Sequence, residues 1–275
     1  MRQLYNSGRL ELLFWENSPK AAVLLATLTM MIVVPGCRKT SGEVVVTPPV
    51  IVSADVVGQA DEFYAGRSDV MKVRQALVAL RQAQTDSPTN YEIAWRVARS
   101  NYYLGAHTTD ATEKEKAFHD GVEAGKLAVK LNNDRVEGHF WLGANYGGNA
   151  EISTLAGLTD IDNIKREMEA VLKIDEHFEG GSAYLGLGQM YLKAPKIFGG
   201  DVGKAIDYLE KGVKVGPNNG LMHLRLAQAY AEANRDNDAR AQLKTLFENK
   251  PTPGYEPEYN DAVKEGRELE AKLKQ

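Results

Sequence analysis

The amino-acid sequence predicts an all-α fold, in which helix pairs stack into a solenoid behind an N-terminal export segment and an extended tether. Three observations support this prediction. A pattern of small and aromatic residues recurs about five times, in one order, between residues 58 and 251. No segment of that region has the period of a β-strand. An uncharged apolar block, residues 21–34, lies just before the only cysteine, Cys37.

Residues 1–36 have the organisation of an export signal. The apolar block would span about 21 Å as a helix, which is shorter than the roughly 30 Å hydrocarbon core of a membrane. Pro35 and Gly36 end it, so a removable signal is favoured over a transmembrane anchor. The sequence Val-Val-Pro-Gly-Cys resembles the lipobox of bacterial lipoproteins. The resemblance implies lipidation of Cys37, and Arg38 after it implies the periplasmic face of the outer membrane. An ordinary signal peptide with an incidental cysteine is the alternative.

The chain after the cleavage position begins with a tether. Residues 37–57 are rich in Val, Thr and Pro, have no helical period, and are predicted to be extended. Without residues 1–36 the net charge is about −5, which gives no reason to expect nucleic acid as a partner. A single cysteine allows no intramolecular disulfide, so the domain must be held by its core.

Residues 58–275 contain the repeating unit. In its last copy Ala227 and Tyr230 are followed by Ala239, Leu243 and Pro251, at the spacings of a tetratricopeptide repeat of about 34 residues. The small residue allows the two helices of a unit to cross closely, and proline ends the second helix. The same frame recurs in residues 76–88, 95–128, 139–175 and 184–217. Residues 258–275 are predicted to form the polar capping helix that an open stack needs.

The second, third and fourth units are longer than the standard repeat. Their extra residues fall between the two helices of each unit, in residues 104–116, 147–160 and 193–201. Because these turns line up along a stack, we expect three long loops on one rim, where binding commonly occurs. The alternative is that the loops only pack against one another.

Most of the chain from Tyr91 to about Val215 resembles two related tetratricopeptide groups, the TatT-like lipoproteins associated with TRAP transporters and the regulators of microtubule dynamics. Trp95, Arg96, Ala98 and Arg99 form a segment shared with the microtubule regulators, and residues 196–205 (Lys-Ile-Phe-Gly-Gly-Asp…Lys-Ala) are the most specific part of the resemblance. The resemblance to the TatT-like lipoproteins implies work at the cell envelope beside a periplasmic solute-binding protein, with a ligand-holding cleft. It leaves room for a homo-oligomer. The lipobox favours this group over the microtubule group.

The sequence gives no sign of an enzyme, a cofactor or a metal site. The five histidines lack metal-ligand spacing, and no serine or free cysteine stands in a catalytic context. The segment Phe-Gly-Gly-Asp-Val-Gly-Lys-Ala lacks the first glycine and the final Ser or Thr of a phosphate-binding loop. Gly199 and Gly200 are instead predicted to end a helix, and Asp201 to cap the next.

Two binding functions remain. The first is a lipid-anchored envelope scaffold that binds a protein or peptide through the concave face of the array. The repeat frame places the following residues on that face: Arg96, Ser100, Tyr103, Phe140, Gln189, Lys193 and Gln228. The second is a ligand-holding accessory of a TRAP-type transporter, in which Trp141, Tyr146 and Phe198 shape an apolar cleft beside the rim loops.

Overall fold

The computed structural model describes residues 53–152 and 154–273, and these residues form eleven α-helices and no strand. The export segment, Cys37 and most of the predicted tether therefore lie outside the described residues. In chain order the helices are α1 (Ser53–Ala65), α2 (Val70–Asp86), α3 (Tyr91–His107), α4 (Ala111–Leu131), α5 (Val136–Ile152), α6 (Thr154–Ile174), α7 (Ser182–Lys193), α8 (Val202–Val215), α9 (Gly220–Glu232), α10 (Asp236–Glu248) and α11 (Glu256–Leu273).

The predicted architecture is confirmed. Consecutive helices pack as five antiparallel pairs, from α1 with α2 to α9 with α10, and α11 packs on α9 and α10 as a final single helix. Residues with short polar side chains occupy the N-cap position before many of the helices. The side chains of Asp69, Asn90, Asp110, Asp201 and Asn219 each accept a hydrogen bond from a backbone N–H in the first turn that follows.

Close helix crossings depend on small residues, as the repeat pattern predicted. Ala98, Ala205, Ala227 and Ala239 are fully buried. A Cβ atom added to Gly125 of α4 would lie 2.8 Å from Cα of Leu142 in α5. Carbon atoms normally approach only to about 3.5 Å, so these two helix backbones meet at a distance that only glycine allows.

Two of the three predicted rim loops are wrong. Residues 104–107 extend α3 and 111–116 extend α4, which leaves a turn of 108–110; residues 147–152 extend α5 and 154–160 extend α6. Residues 104–116 and 147–160 contain no proline, unlike the third segment with Pro195, and Asp110 caps α4, so the extra residues lengthen the helices instead of forming loops. Only the third, between α7 and α8, is a loop, with a 3-10 turn over Lys196–Phe198.

The loop before α8 confirms the prediction of a helix stop and an N-cap. Gly199 has φ 93°, in the left-handed region that favours glycine. The carboxylate of Asp201 accepts a hydrogen bond from the Lys204 N–H at 3.1 Å. At the other end of the domain α1 begins at Ser53, so the last residues assigned to the tether, 53–57, are helical.

The buried apolar residues form two clusters. The first extends from Val56 in α1 to Ala205 in α8, and the second from Leu185 in α7 to Ala262 in α11. The array therefore has one hydrophobic core for its first three pairs and one for its last two pairs and α11, with α7 and α8 contributing to both. No described helix is long and apolar enough to span a bilayer.

The two ends of the array meet. Arg67, in the turn between α1 and α2, donates from Nε and Nη2 to the two carboxylate oxygens of Glu258 in α11, each at 2.8 Å. The Arg67 side chain is 6 % exposed. His107 Nε2 lies 3.6 Å from the Asp261 carboxylate, and the Tyr255 hydroxyl donates to Glu179. Helix α11, predicted only as a cap, therefore also closes the concave side.

Candidate functional site

The concave side of the array encloses a cavity of 1410 Å³. Its walls come from α1, α3, α4, α5, α6, α7, α9 and α11, so it runs through most of the array. Typical small-molecule pockets measure about 300–1,000 Å³. The cavity is therefore larger than a site for one small ligand, and its two parts differ in chemistry.

The part between α3, α4 and α5 has aromatic walls, and we call Tyr102, Phe118, Phe140 and Trp141 the aromatic chamber. The ring of Trp141 lies 5.8 Å from that of Tyr102 and 4.9 Å from that of Phe140, and the rings of Tyr102 and Phe118 are 6.3 Å apart. Burial raises the pKa of Tyr102, so its phenol remains un-ionised at neutral pH. The chamber is therefore mostly apolar, and its rings pack against one another.

Three glycines of α5 lie on the cavity lining near these rings. Gly143, Gly147 and Gly148 line the cavity. A Cβ atom at Gly148 would lie 2.1 Å from Cε1 of Phe118, so that ring packs directly on the helix backbone. A Cβ atom at Gly147 would meet nothing within 4 Å. Gly147 therefore faces open space inside the cavity.

One polar atom of the chamber is left without a partner. Trp141 is 7 % exposed, and its Nε1 is buried and makes no hydrogen bond. An indole N–H can only donate, and a buried donor without an acceptor costs about 1–3 kcal/mol.

The other part of the cavity, toward α7, α9 and α11, is charged, and we call it the charged mouth. Arg225 donates from Nη1 to Glu265 at 2.7 Å, and Lys193 pairs with Glu151. Lys193, Glu151 and Glu265 are each about half exposed at the side chain, so water screens their charges. Both signs are present, which suits polar residues of either charge on a bound chain.

The structure brings four of the seven predicted partner-binding residues together on the cavity. Tyr103, Phe140, Gln189 and Lys193 line it. Tyr103 also stacks on His107 with ring centroids 3.8 Å apart. These four residues extend from the aromatic chamber to the charged mouth.

The other three predicted residues do not line the cavity. Arg96 donates from Nε to both oxygens of Asp61 at 3.0 Å and from Nη1 to Glu92 at 2.7 Å, so it ties α3 to α1. Asp61 and Glu92 raise the pKa of Arg96 against the effect of burial. Ser100 is fully buried, and Gln228 accepts from Arg225 at 3.0 Å.

The three predicted cleft residues are separated. Trp141 belongs to the aromatic chamber, whereas Tyr146 is 7 % exposed and does not line the cavity. Phe198 is 40 % exposed on the 3-10 turn and also lies outside the cavity lining. The expected cleft depended on three neighbouring rim loops, and two of those loops are helices.

The described residues contain no cluster of His, Cys, Asp and Glu suited to a metal ion. His139 is 5 % exposed, with Nδ1 2.7 Å from a Glu167 oxygen and Nε2 2.9 Å from the Asn133 carbonyl oxygen. Both neighbours are acceptors, which favours the doubly protonated ring. The hydrogen bond to Glu167 is the main reason that the pKa of His139 is raised.

His223 occupies the same place in the last repeat as His139 does in the third. Its Nε2 lies 2.8 Å from the Pro217 carbonyl oxygen, and its Nδ1 lies 2.8 Å from Gln242. The side-chain amide of Gln242 stands there where Glu167 stands beside His139. Both histidines are structural, in agreement with their position at the tryptophan site of the repeat.

Sequence reasoning missed three residues that shape the site. Phe118 carried no signal, because it lies just after the predicted loop of residues 104–116, at no marked position of the repeat. Arg67 and Glu258 were missed because an ion pair between residues so far apart in sequence leaves no local pattern. Tyr102 was recognised, but only as the aromatic position of a repeat.

Comparisons with known proteins agree with this description. A family model described as regulator of microtubule dynamics protein 1-3 matches residues 56–181, and a tetratricopeptide-repeat model matches residues 199–264. The two matches divide the chain close to where its hydrophobic core divides. The expected resemblance to the microtubule regulators is confirmed for the first part, although it begins further upstream than its motif indicated. Among curated proteins, no sequence matches significantly.

Two solved structures illustrate the fold. A thermophilic tetratricopeptide-repeat protein of Thermus thermophilus is 17 % identical, with a TM-score of 0.59, over 79 % of this chain and 98 % of its own. The pilF protein of Pseudomonas aeruginosa is 13 % identical, with a TM-score of 0.51, over 78 % of this chain and 90 % of its own. At such identities the likeness concerns the fold alone. The fold, the spacing of the repeats and the match to the tetratricopeptide-repeat model lead to the same conclusion. The described residues form a tetratricopeptide-repeat solenoid.

Proposed function

We propose that this protein is a lipid-anchored scaffold of the cell envelope that binds an extended segment of a partner protein in its concave cavity. The observation that carries the proposal is the cavity itself, which is larger than the usual site of one small ligand and is lined by both the aromatic chamber and the charged mouth. Extended peptides bind concave helical surfaces through side-chain pockets and polar contacts of this kind.

Attachment through Cys37 rests on the lipobox-like sequence that precedes it. Lipid chains contribute about 0.8 kcal/mol for each buried methylene group, so several chains hold a protein firmly on a membrane. Residues 37–52, if extended, would let the domain reach roughly 55 Å from the bilayer. Mass spectrometry of the mature N-terminus tests this part, because a Cys37→Ser variant should lose the acyl mass and membrane association. An unmodified wild-type cysteine refutes it.

Partner binding is tested by chemical cross-linking in intact membranes. Lys193 lines the cavity and pairs with Glu151, whereas Lys244 in α10 lies outside it and approaches Glu248 at 3.8 Å. We expect Lys193→Glu to lose the captured envelope protein and the matched Lys244→Glu variant to retain it. Equal capture by both variants means that the concave face is not the binding surface.

The ligand-holding role beside a TRAP-type transporter predicts a different result. In that case native mass spectrometry of the purified protein would show a bound small molecule of constant mass, and no envelope polypeptide would be captured. The cavity volume favours the peptide. The aromatic chamber is the one feature that favours the small molecule.

A further inference from the structure

We infer that the contact of Arg67 with Glu258 and Gly254, which we call the clasp, is reversible and must open before an internal segment of a partner protein can enter the concave cavity. This inference rests on the proposed function and adds its regulation. Three features of the described residues carry it. They are the polar chemistry of the clasp, the separate hydrophobic cores of the two ends, and the ring of helices around the cavity.

The clasp is built around one buried arginine. Arg67 donates to both carboxylate oxygens of Glu258, each at 2.8 Å, and also to the carbonyl oxygen of Gly254. Its guanidinium carbon lies 4.9 Å from the ring centroid of Tyr64 on its own side of the junction and 5.9 Å from that of Tyr255 on the other. A buried ion pair gives up hydration when it forms, which offsets much of its attraction. The clasp therefore holds the ends together less firmly than apolar burial would.

The two ends of the array belong to different hydrophobic cores. In residues 53–152 and 154–273, helices α1, α2 and α3 contribute buried apolar residues only to the first core, and α11 only to the second. Helix α11 is fixed on α9 and α10 instead, where Ala262 is fully buried and the Tyr259 hydroxyl donates to the Asn249 carbonyl oxygen at 2.6 Å. Opening the clasp therefore leaves both cores intact, and α11 moves with the second.

Two further contacts flank the clasp, and both are more exposed. His107 Nε2 lies 3.6 Å from an Asp261 oxygen whose side chain is 58 % exposed, and the Tyr255 hydroxyl donates to Glu179. Contacts between exposed polar groups contribute little, because water replaces them readily. Arg67 and Glu258 are therefore the pair that controls closure.

Closure decides what kind of chain can enter the cavity. Its walls come from helices between α1 and α11, and both Arg67 and Glu258 line it, so the closed array surrounds the cavity as a ring. A closed ring admits only a free chain end, by threading. A segment in the middle of a folded partner needs an opening at the side. In a solenoid each repeat packs on its neighbours, so the contact between the ends is the one that opens without breaking a repeat interface.

The distance between the two ends tests the clasp directly. Nitroxide labels on cysteines that replace Val78 of α2 and Asn260 of α11, in the full chain with Cys37→Ser, report it by double electron–electron resonance. Both positions are exposed and neither lines the cavity. An extended chain with its side chains is about 10 Å thick, so Arg67→Glu, which sets two carboxylates against each other, should lengthen the mean distance by about 10 Å. Adding Glu258→Arg should restore most of the wild-type distance.

A second ion pair provides a matched control. Arg74 of α2 donates to both oxygens of Glu113 in α4, at 2.7 and 2.6 Å, and neither residue lines the cavity. Arg74→Glu should therefore leave the end-to-end distance unchanged. Labels at positions 244 and 260, which both lie on the second core, should keep their distance in every variant and so report an intact fold.

The same variants test entry of the partner by the cross-linking in intact membranes, with Cys37 retained. Apparent affinity scales with the fraction of molecules that are open, so Arg67→Glu should raise the yield of the captured envelope protein at least about threefold. The pair Arg67→Glu with Glu258→Arg should return the yield toward the wild-type value, and Arg74→Glu should not change it.

Two results overturn the inference. An end-to-end distance that Arg67→Glu leaves unchanged means that there is no clasp to open. A longer distance with an unchanged yield means that the clasp does not control entry. Failure of the proposed function gives a different pattern, in which no variant captures an envelope polypeptide. The role in entry then falls with the proposed function, while the distance measurement still decides whether the clasp opens.

Discussion

Replacing glycine by alanine at two positions of adjacent helices should change stability in opposite directions. Gly125 of α4 and Gly147 of α5 both lie inside helices, where alanine is favoured over glycine by about 1 kcal/mol. Propensity alone therefore predicts two stabilised variants. The surroundings differ, because a Cβ atom at Gly125 would lie 2.8 Å from both Cα and Cβ of Leu142, and one at Gly147 would meet nothing within 4 Å.

The backbone contact at Gly125 decides whether Gly125→Ala stabilises or destabilises the protein. Carbon atoms need about 3.5 Å, so α4 and α5 would have to move apart by several tenths of an ångström. Overpacking costs about 1–3 kcal/mol, and a clash with backbone belongs at the upper end. After the gain in propensity, Gly125→Ala should lose about 2 kcal/mol. Gly147→Ala should gain about 1 kcal/mol.

Thermal unfolding followed by circular dichroism measures both effects. For a domain of this size about 1 kcal/mol shifts Tm by about 2–4 °C, so Gly125→Ala should lower Tm by about 4–8 °C and Gly147→Ala should raise it by about 2–4 °C. Gly58→Ala is the control for propensity alone and should behave as Gly147→Ala does. A rise in Tm for Gly125→Ala would show that the two helices do not cross as closely as described.

Three further changes test other parts of the structure. Glu167 raises the pKa of His139, so the stability that their contact adds is complete below about pH 6.5 and declines as pH rises through the folded-state pKa. The Tm difference between wild type and Glu167→Gln should therefore shrink between pH 6 and pH 9. Arg67→Ala should lower the free energy of unfolding by about 2 kcal/mol and increase amide exchange in α11, since Glu258 loses two charged hydrogen bonds but is partly exposed. Asp201→Ala should cost about 1 kcal/mol in urea unfolding through loss of the α8 cap, with Asp201→Asn close to wild type. A pH-independent Tm difference, unchanged exchange in α11, or equal effects of alanine and asparagine would contradict these expectations in turn.

The fold was predictable from the sequence because each repeat contains, within its own residues, the positions at which its helices pack. Small residues such as Ala98 and Ala227 must lie where helices cross, and Pro251 must follow a helix end, so spacing alone gave the five pairs and the final helix. The rim loops were mispredicted for the opposite reason. An insertion is visible as extra length, but length does not show whether the added residues form a loop or extend both neighbouring helices.

The candidate site was predictable only in part, since it depends on contacts between distant residues. The repeat frame placed Tyr103, Phe140, Gln189 and Lys193 on the concave side, and they line the cavity. The same frame could not show that Arg96 would be held by Asp61 on another helix. Closure of the cavity by α11 follows from the curvature of the whole array, which no single repeat encodes.

The central claim, that the concave cavity holds an extended segment of an envelope protein, is tested most directly by photo-cross-linking in living cells. A benzoylphenylalanine residue would replace Gln189, which lines the cavity, or Lys244, which lies outside it. The account predicts that illumination joins one polypeptide to the chain from position 189 and none from position 244. Capture of the same polypeptide from both positions, or from position 244 alone, would contradict it.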